Sequence, residues 1–590
     1  MDDLIKKDDH VIMGLSFGYH DSAAAILVNG KVLVAIQEER LSRIKHDNSF
    51  PENAIRFCLQ RLKINSDRLN KIIYYENPFK KFDRIVKSLF KLNNLGNFFN
   101  LVSDWYTKEK FDPMSKISTF MNYPKSEIEF FDHHISHAAA AFFSSKYEES
   151  IIITIDGVGE YETSTISIGK KNKIIKKQTS IFPNSLGLFY STFTSFLGFE
   201  VNEGEYKVMG MAGFGKPKYV KEIKNLIKLQ NGKILLNKKF FNFSLNDEYP
   251  FSKNFTNIFG RERNPRDEFS FEGKENIKRN QKFADIAASV QVVTEEIIFE
   301  MFKFCINKFS INNVVFSGGV ALNGLANRKI QKLLTDKLYV YPSPGDAGSA
   351  VGCAQYYYFS KMNKKRFSTE NIFYGNSFEI KELESIKKNY PKNNFRFFKT
   401  RELLNKFVAS ELNKGKIIGW FQGKEEWGPR ALGSRSILAN PTKKEMRDKV
   451  NKIIKYREIF RPFAPSVLTE KVHDYFDVQK NIDELSPENY MLTVNDVKNR
   501  AIKEAPAIVH IDKTARVHAV SKFNNPTFYQ LIKDFYKLTN VPILLNTSFN
   551  LKGEPIVSSV TDAFRTFELS NIDLLVIENY CFKRTEIYKN

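Results

Sequence analysis

His133 and His137 stand four residues apart in FDHHISHAAAAFFS, at the head of an alanine-rich stretch that predicts a helix. An α-helix turns once in about 3.6 residues, so both imidazoles fall on one face. That spacing can grip one metal ion from a single turn, and it equally suits two surface histidines without a task. Asp132 and His134 add to the cluster, and Asp156 follows one strand later in IIITIDGVGE. Two glycine-rich turns come next. NNVVFSGGVALNGLANRKI (312–330) reads as a buried strand, a Gly-Gly turn and a helix start, where free backbone N–H groups can cradle phosphate. LYVYPSPGDAGSAVGCA (338–354) repeats that pattern and puts Asp346 at the head of a small-residue helix, as a helix cap or as a ligand.

These residues need elements to position them. Val11 to Arg40 predicts a β-hairpin, with alternating apolar residues around turn signals that include Asn29-Gly30. A similar unit returns at Ile151, and both units carry an acidic residue in the first turn, Asp21 and Asp156. This internal repeat points to a duplicated α/β lobe with two tight turns facing a shared cleft. Residues 80–120 and 242–280 read as insertions, either lids over the cleft or ordinary surface loops. The charged, weakly periodic stretch 361–394 marks a boundary, giving domains 1–370 and 371–590. The second domain restarts as a strand at KIIGWFQG and carries WGPRALGSRS, KYREIFRPFAPS, ARVHAV and LLNTSFNLKGEPIV. Clustered arginines among Ser, Thr and Asn suit phosphate or carboxylate, because the guanidinium fork matches oxyanion geometry.

Bulk properties bound the answer. A chain of 590 residues is too long for one hydrophobic core. The net charge of +22 invites a nucleic-acid reading, but the lysines are spread along the whole chain and form no basic stripe. The four cysteines (58, 305, 353 and 581) form no CxxC pair, which indicates a reducing compartment and no zinc site. No apolar run reaches membrane-spanning length. The expectation is a cytoplasmic protein with neither nucleic acid nor membrane as partner, and with monomer and homo-oligomer both open.

The ordered set GYHDSAAAILVNGKVLVAIQEERLSRIKHD, DHHISHAAAAF, NEGEYKVMGMAGFG, GGVALN, PGDAGSAVG, EWGPRALGSRSIL, FRPFAPSVL and LLNTSFN resembles the O-carbamoyltransferases. These include nodulation protein U and the cephalosporin and tobramycin carbamoyltransferases. The resemblance spans nearly the whole chain. It implies an α/β protein in which a duplicated actin/Hsp70-like (ASKHA) domain is followed by a YrdC-like α/β domain. It implies that carbamoyl phosphate and ATP, the latter accompanied by Mg, give carbamoyl-adenylate in the second domain. The carbamoyl group then passes in the first domain to a hydroxyl of a sugar or natural-product acceptor.

The same resemblance implies the roles of individual residues. His133, His137, Asp156 and Asp346 would hold Fe(II) or another divalent cation. His20 would be the base that takes the acceptor's proton. Lys45, and more weakly Lys207, would meet the nucleotide phosphate, and Gly318, Gly319 and Asn323 would line the nucleotide pocket. Arg430, Lys455, Arg461 and Arg516 would gather the phosphates of the two co-substrates, with Asn546 and Ser548 completing that pocket. The chain departs from the family pattern at GMAGFG (210–215), at Gly324 and at Lys424-Glu425, which leaves the pocket walls and the acceptor open. A tRNA threonylcarbamoyl-type modification enzyme is the alternative. The missing basic stripe and the tandem motif order count against it. Retention of every His and Asp ligand counts against a non-enzymatic regulator.

Overall fold

VIMGLS, AAAILV and SIIITI are near-continuous apolar runs, as expected of strands covered on both faces. In the computed structural model, which describes residues 5–90, 103, 105, 111–243, 249–267, 269–271, 273–368, 371–388, 390–452 and 463–584, these runs are central strands. The chain divides into two compact units: Met1–Glu38 with Asn48–Thr369, and Glu39–Asp47 with Glu370–Asn590.

The first unit holds two five-stranded sheets. One contains β1 (Val11–Ser16), β2 (Ala23–Val28), β3 (Lys31–Gln37), β4 (Lys71–Tyr74) and β5 (Ile128–Phe130) in the order β3-β2-β1-β4-β5. The other contains β6 (Glu149–Ile155), β7 (Glu162–Lys170) and β8 (Lys173–Ile181). Beyond the small hairpin of β9 (Ile227–Gln230) and β10 (Lys233–Leu236), it is completed by β11 (Val314–Ser317) and β12 (Leu338–Val340). Its order is β12-β11-β6-β7-β8. In both sheets the first three strands are antiparallel and the last two join in parallel. The repeat read from two hairpins is therefore a repeat of whole sheets, the duplicated actin/Hsp70-like pattern. Edge strand β8 (KIIKKQTSI) is mostly exposed and lysine-rich, which discourages edge-to-edge pairing.

Each sheet is followed by a helix in the same place: His133–Ser144 after β5, and Asp346–Gln355 after β12. The second helix is made largely of small residues, the first has four alanines at its middle, and both are almost wholly buried. They pack directly on one another. A Cβ built on Gly352 would lie 1.9 Å from the Ser136 carbonyl oxygen, and one on Gly14 of β1 would lie 1.8 Å from the Ala350 carbonyl oxygen. The second helix is thus held between β1 and the first helix at a distance only glycine allows.

The second unit is α/β as well. An eight-stranded sheet runs β13 (Phe395–Phe397), β23 (Tyr580–Lys583), β22 (Leu574–Ile577), β14 (Ile418–Phe421), β15 (Arg435–Ala439), β21 (Ile543–Ser548), β16 (Ala464–Leu468) and β20 (His518–Val520). A three-stranded sheet of β17 (Phe476–Asp477), β18 (Val494–Val497) and β19 (Thr514–Arg516) joins it. Successive residues of β14 point to opposite faces, so Trp420 and Phe421 enter two separate cores. Among the described residues, no helix is long and apolar enough to cross a membrane.

The helix contact yields a direct test. Gly352→Ala should lower the unfolding free energy by about 1–3 kcal/mol, because a methyl group is forced against backbone. Urea denaturation of the two proteins measures this, and an unchanged midpoint would show that the helices can separate at no cost.

Candidate functional site

The His133–Ser144 helix starts on His133 itself. Asp132 precedes it without capping it through its side chain. The Glu160 carboxylate arrives from the β6–β7 turn and accepts the His133 backbone N–H at 2.9 Å and that of Asn77 at 2.6 Å. His133 and His137 then project from one face, their Nε2 atoms 3.0 Å apart. The partner helix begins on Asp346, whose side chain is turned to the histidines rather than to its own helix end, so the cap reading does not hold. Asp156 enters from the turn after β6.

Four side chains converge. His137 Nε2 lies 2.9 Å from Asp156 Oδ2 and 3.4 Å from Asp346 Oδ1, and His133 Nε2 lies 3.5 and 3.6 Å from the same two oxygens. One ligand atom from each residue falls within 4.8 Å of all the others. Ligands about 2.1 Å from a shared ion stand roughly 3 Å apart when adjacent, so these spacings fit a divalent cation. Two imidazoles and two carboxylates suit a borderline metal. Ser349, one turn along from Asp346, meets His137 Nδ1 at 3.2 Å and leaves Nε2 for the cluster. Tyr75 donates to Asp346 Oδ2 at 3.5 Å. His133 Nδ1 is buried and finds no partner among the described residues.

Electrostatics tie the cluster together without an ion. Burial opposes a charged His133, yet Asp346, Asp156 and Glu160 raise its pKa to about 9. Burial likewise opposes the charged carboxylates, but His133 and His137 hold Asp156 well below its usual range, and His133 and His20 lower Asp346. His20 sits in the β1–β2 turn, 3.0 Å from the Asp21 carboxylate, with about a fifth of its side chain exposed (21%). Burial works against its charge too, but Asp346, Asp21 and Asp156 push its pKa up to about 10. His134 does not join the cluster. Its ring meets Thr154 Oγ1 at 2.7 Å and the Glu162 carbonyl at 3.0 Å, and burial with the neighbouring histidines holds it neutral.

In the second unit, the loop EWGPRALGSR folds around a buried carboxylate. Glu426 accepts the backbone N–H groups of Leu432, Ser434 and Arg435 at 2.6, 3.4 and 3.3 Å, which shapes the loop that carries half-buried Arg430. Arg435 is fully buried and structural. It donates to the carbonyls of Gln422, Ser434, Asn376 and Gly423 and lies 3.6 Å over the Phe421 ring. Asn546 on β21 donates to the Ala431 carbonyl at 3.1 Å, one residue from Arg430. Segment Glu39–Asp47 belongs to this unit through Arg40, which pairs with Glu425 at 3.2 Å, and Arg43, which donates to the carbonyls of Pro555 and Ile556.

Residues 11–355 match the family model described as Carbamoyltransferase N-terminus, and residues 409–584 match Carbamoyltransferase C-terminus. The chain belongs to the carbamoyltransferase family. It is 37% identical over 612 residues to an uncharacterized protein of Synechocystis sp., with 97% of each chain covered. It is 31% identical over 593 residues to nodulation protein NolNO of Sinorhizobium fredii, covering 96% of this chain and 79% of that one. An uncharacterized protein of Methanocaldococcus jannaschii is 30% identical over 580 residues, with 98% and 100% covered. The expected family and the expected enzyme class, a carbamoyl-transferring enzyme, both stand.

In this carbamoyltransferase the structure brings together His133, His137, Asp156 and Asp346, with His20 within electrostatic reach of both carboxylates. The Gly318-Gly319 turn borders the cluster, since a Cβ on Gly319 would lie 3.1 Å from Asp156 Oδ1. Asn323 caps the helix Gly324–Leu333 and bonds Gln291, so its side chain is engaged in structure. Lys45 is half-buried in the segment that belongs to the second unit, and Lys207 lies in the helix Glu205–Ala212 of the first. Arg516 ends β19 half-buried, and Ser548 on β21 donates to Asn550 at 2.7 Å. Lys455 and Arg461 lie outside the described residues. Sequence reasoning missed Glu160, Ser349 and Glu426. Ser349 could have been found by its i, i+3 spacing from Asp346. Glu160 and Glu426 act through backbone contacts that leave no pattern in the chain.

A neutral histidine in the second unit sets a pH test. Burial pulls the His518 pKa down to about 3, whereas an unfolded histidine titrates near pH 6.5. Between those values the unfolded state binds one proton more than the folded state. Stability is therefore lost as pH falls below 6.5, by about 1.4 kcal/mol per pH unit from this residue. Denaturation between pH 7 and 4 should show a dependence shallower by one proton in His518→Asn. Parallel curves for the two proteins would refute the assignment.

Proposed function

We propose that this chain is an ATP-dependent O-carbamoyltransferase that works in two steps. The convergence of His133, His137, Asp156 and Asp346 in the unit matched by the N-terminal family model carries the reading. In the YrdC-like second unit, water releases phosphate from carbamoyl phosphate. The freed carbamate oxygen then attacks the α-phosphorus of MgATP, and pyrophosphate leaves. Arg430 and Arg516, with Lys455 and Arg461, gather the phosphoryl oxygens as charge shifts among them. The carbamoyl-adenylate then serves the first unit. There the acceptor's hydroxyl attacks the carbamoyl carbon and AMP leaves, with the Gly318-Gly319 turn receiving the nucleotide phosphate.

In the first unit, the cluster would hold Fe(II) or another divalent cation, which when bound supplies a Lewis acid for a carbamoyl or phosphate oxygen. Neutralised by such a charge, Asp156 and Asp346 would no longer keep the proton on His20, whose imidazole would then lie in the range where it can accept one from the acceptor's hydroxyl. Ser349 keeps His137 in the tautomer that presents Nε2. The acceptor is a hydroxylated small molecule or saccharide, and the reaction belongs to the cytoplasm, where ATP is available.

Under anaerobic, reducing conditions with Fe(II), carbamoyl phosphate and ATP should yield pyrophosphate, and omission of either should yield none. No pyrophosphate from the complete mixture would rule out adenylate formation. His133→Ala should release pyrophosphate at the wild-type rate yet fail to discharge AMP to a panel of sugar hydroxyl acceptors that the wild type uses. Equal loss of both steps would contradict the division of labour between the units.

A further inference from the structure

Three polar side chains on neighbouring strands of the second unit form a chain that the reaction scheme has not used. Asn546 on β21 is 1% exposed, Ser466 on β16 is fully buried and His518 on β20 is 4% exposed. The register pairs Ser466 with His518 and Ala464 with Asn546. A carboxamide has two N–H donors and one acceptor oxygen. Both donors of Asn546 are taken, by the Ala431 carbonyl at 3.1 Å and by Ser466 Oγ at 2.9 Å. A flipped amide would set its oxygen against the Ala431 carbonyl, so the two acceptors fix which way it faces. The oxygen, Oδ1, is then left buried with no hydrogen-bond donor among the described residues.

The chain continues behind Asn546. Having accepted from Asn546, the Ser466 hydroxyl directs its own hydrogen to His518 Nδ1, 2.8 Å away. This requires a neutral imidazole with its proton on Nε2. Burial keeps the ring neutral, and Phe528 stacks on it at 6.0 Å and 22°. The hydrogens of Asn546 and Ser466 that face the chain each meet an acceptor, and among the described residues Asn546 Oδ1 meets no donor.

We propose that Ser466 and His518 are positioning residues that hold the Asn546 carboxamide with its oxygen toward the amino group of the carbamoyl donor, making the second unit select carbamoyl phosphate over acyl phosphates that lack an N–H. The proposal rests on the reading that this unit takes up carbamoyl phosphate. The contact with Ala431 places Asn546 next to Arg430, the phosphate-binding candidate, and carbamoyl phosphate carries its phosphate and its amino group on one small molecule. Acetyl phosphate differs by a methyl group in place of the amino group. A site with a fixed, buried acceptor discriminates against such an analogue, because the acceptor stays unpaired when the analogue binds.

The test compares carbamoyl phosphate and acetyl phosphate by titration calorimetry on the full-length protein. The wild type should prefer carbamoyl phosphate about 100-fold or more. Ser466→Ala and His518→Leu should each cut that preference about tenfold or more while leaving the affinities for acetyl phosphate and ATP unchanged. His518→Asn can offer an oxygen where Nδ1 stood, and it should keep the preference. An unchanged preference in Ser466→Ala and His518→Leu overturns the proposal, as does a loss in His518→Asn as large as in His518→Leu. Pyrophosphate release reads the adenylation step separately. A wild type that binds carbamoyl phosphate selectively yet releases no pyrophosphate defeats the adenylation reading while supporting the relay. A wild type that binds both phosphates equally defeats the relay even if pyrophosphate forms.

Discussion

Two helices with small residues at their contact meet so closely that a glycine of one rests on a carbonyl of the other, and the four-residue cluster depends on that approach. Gly352 faces the Ser136 carbonyl, while Ala138 to Ala141 are wholly buried. Imidazole and carboxylate side chains are short. Histidines on one helix and an aspartate on another reach a common point only if the helix axes are nearer than ordinary side chains allow. The alanine and glycine content of both helices is therefore a geometric requirement of the site. It also supplies the rigidity such a site needs, because well-packed helices hold ligands more narrowly than loops do.

That rigidity is set against electrostatic cost. Asp156 and Asp346 are two carboxylates held ionised in a buried place, which is unfavourable unless positive charge is near. His133 and His20, whose pKa values these carboxylates raise, bring positive charge to them, and a divalent cation would supply it more compactly. The symmetry of the fold explains where the groups come from. Corresponding helices after β5 and β12 give His133, His137 and Asp346, and corresponding turns after β1 and β6 give His20 and Asp156. Duplication thus brings two turns and two helix starts, each bearing one kind of group, to one centre.

What the chain reveals in advance follows from the range of each interaction. The strands, the Gly-Gly turn and the HxxxH face are local patterns, and local patterns can be read. The repeated hairpin was legible, whereas its extension to two full sheets rests on parallel pairings of β4, β5, β11 and β12 that no periodicity announces. Asp346 illustrates the boundary. As a residue at a helix start it admits two readings, and only the arrival of the other helix turns its side chain to the histidines rather than to its own helix end. Arg40 and Arg43 make the same point in the second unit. Arg40 ends the predicted hairpin and Arg43 lies just beyond it, yet they bind carbonyls and carboxylates hundreds of residues away in sequence.

The histidines show how a single residue type is given opposite characters. His133 and His20 face carboxylates, and their pKa values rise to about 9 and about 10. His134 and His518 face hydroxyls, and in His134 a carbonyl as well; with no carboxylate bonded to either ring among the described residues, burial prevails and both stay neutral. His133 and His134 are adjacent in sequence and share one helix turn, so neither local backbone nor depth separates them. The difference lies in direction: about 100° of rotation around the helix axis turns one ring to Asp156 and Asp346, and the other to Thr154 and the β7 backbone. A charged imidazole suits a site that gathers charge. A neutral one suits a hydrogen-bond chain, where a proton added at His518 Nδ1 would take away the acceptor of the Ser466 hydroxyl. The sheet-and-helix frame therefore does more than hold these groups, since the direction in which it aims each ring sets whether that ring carries a proton.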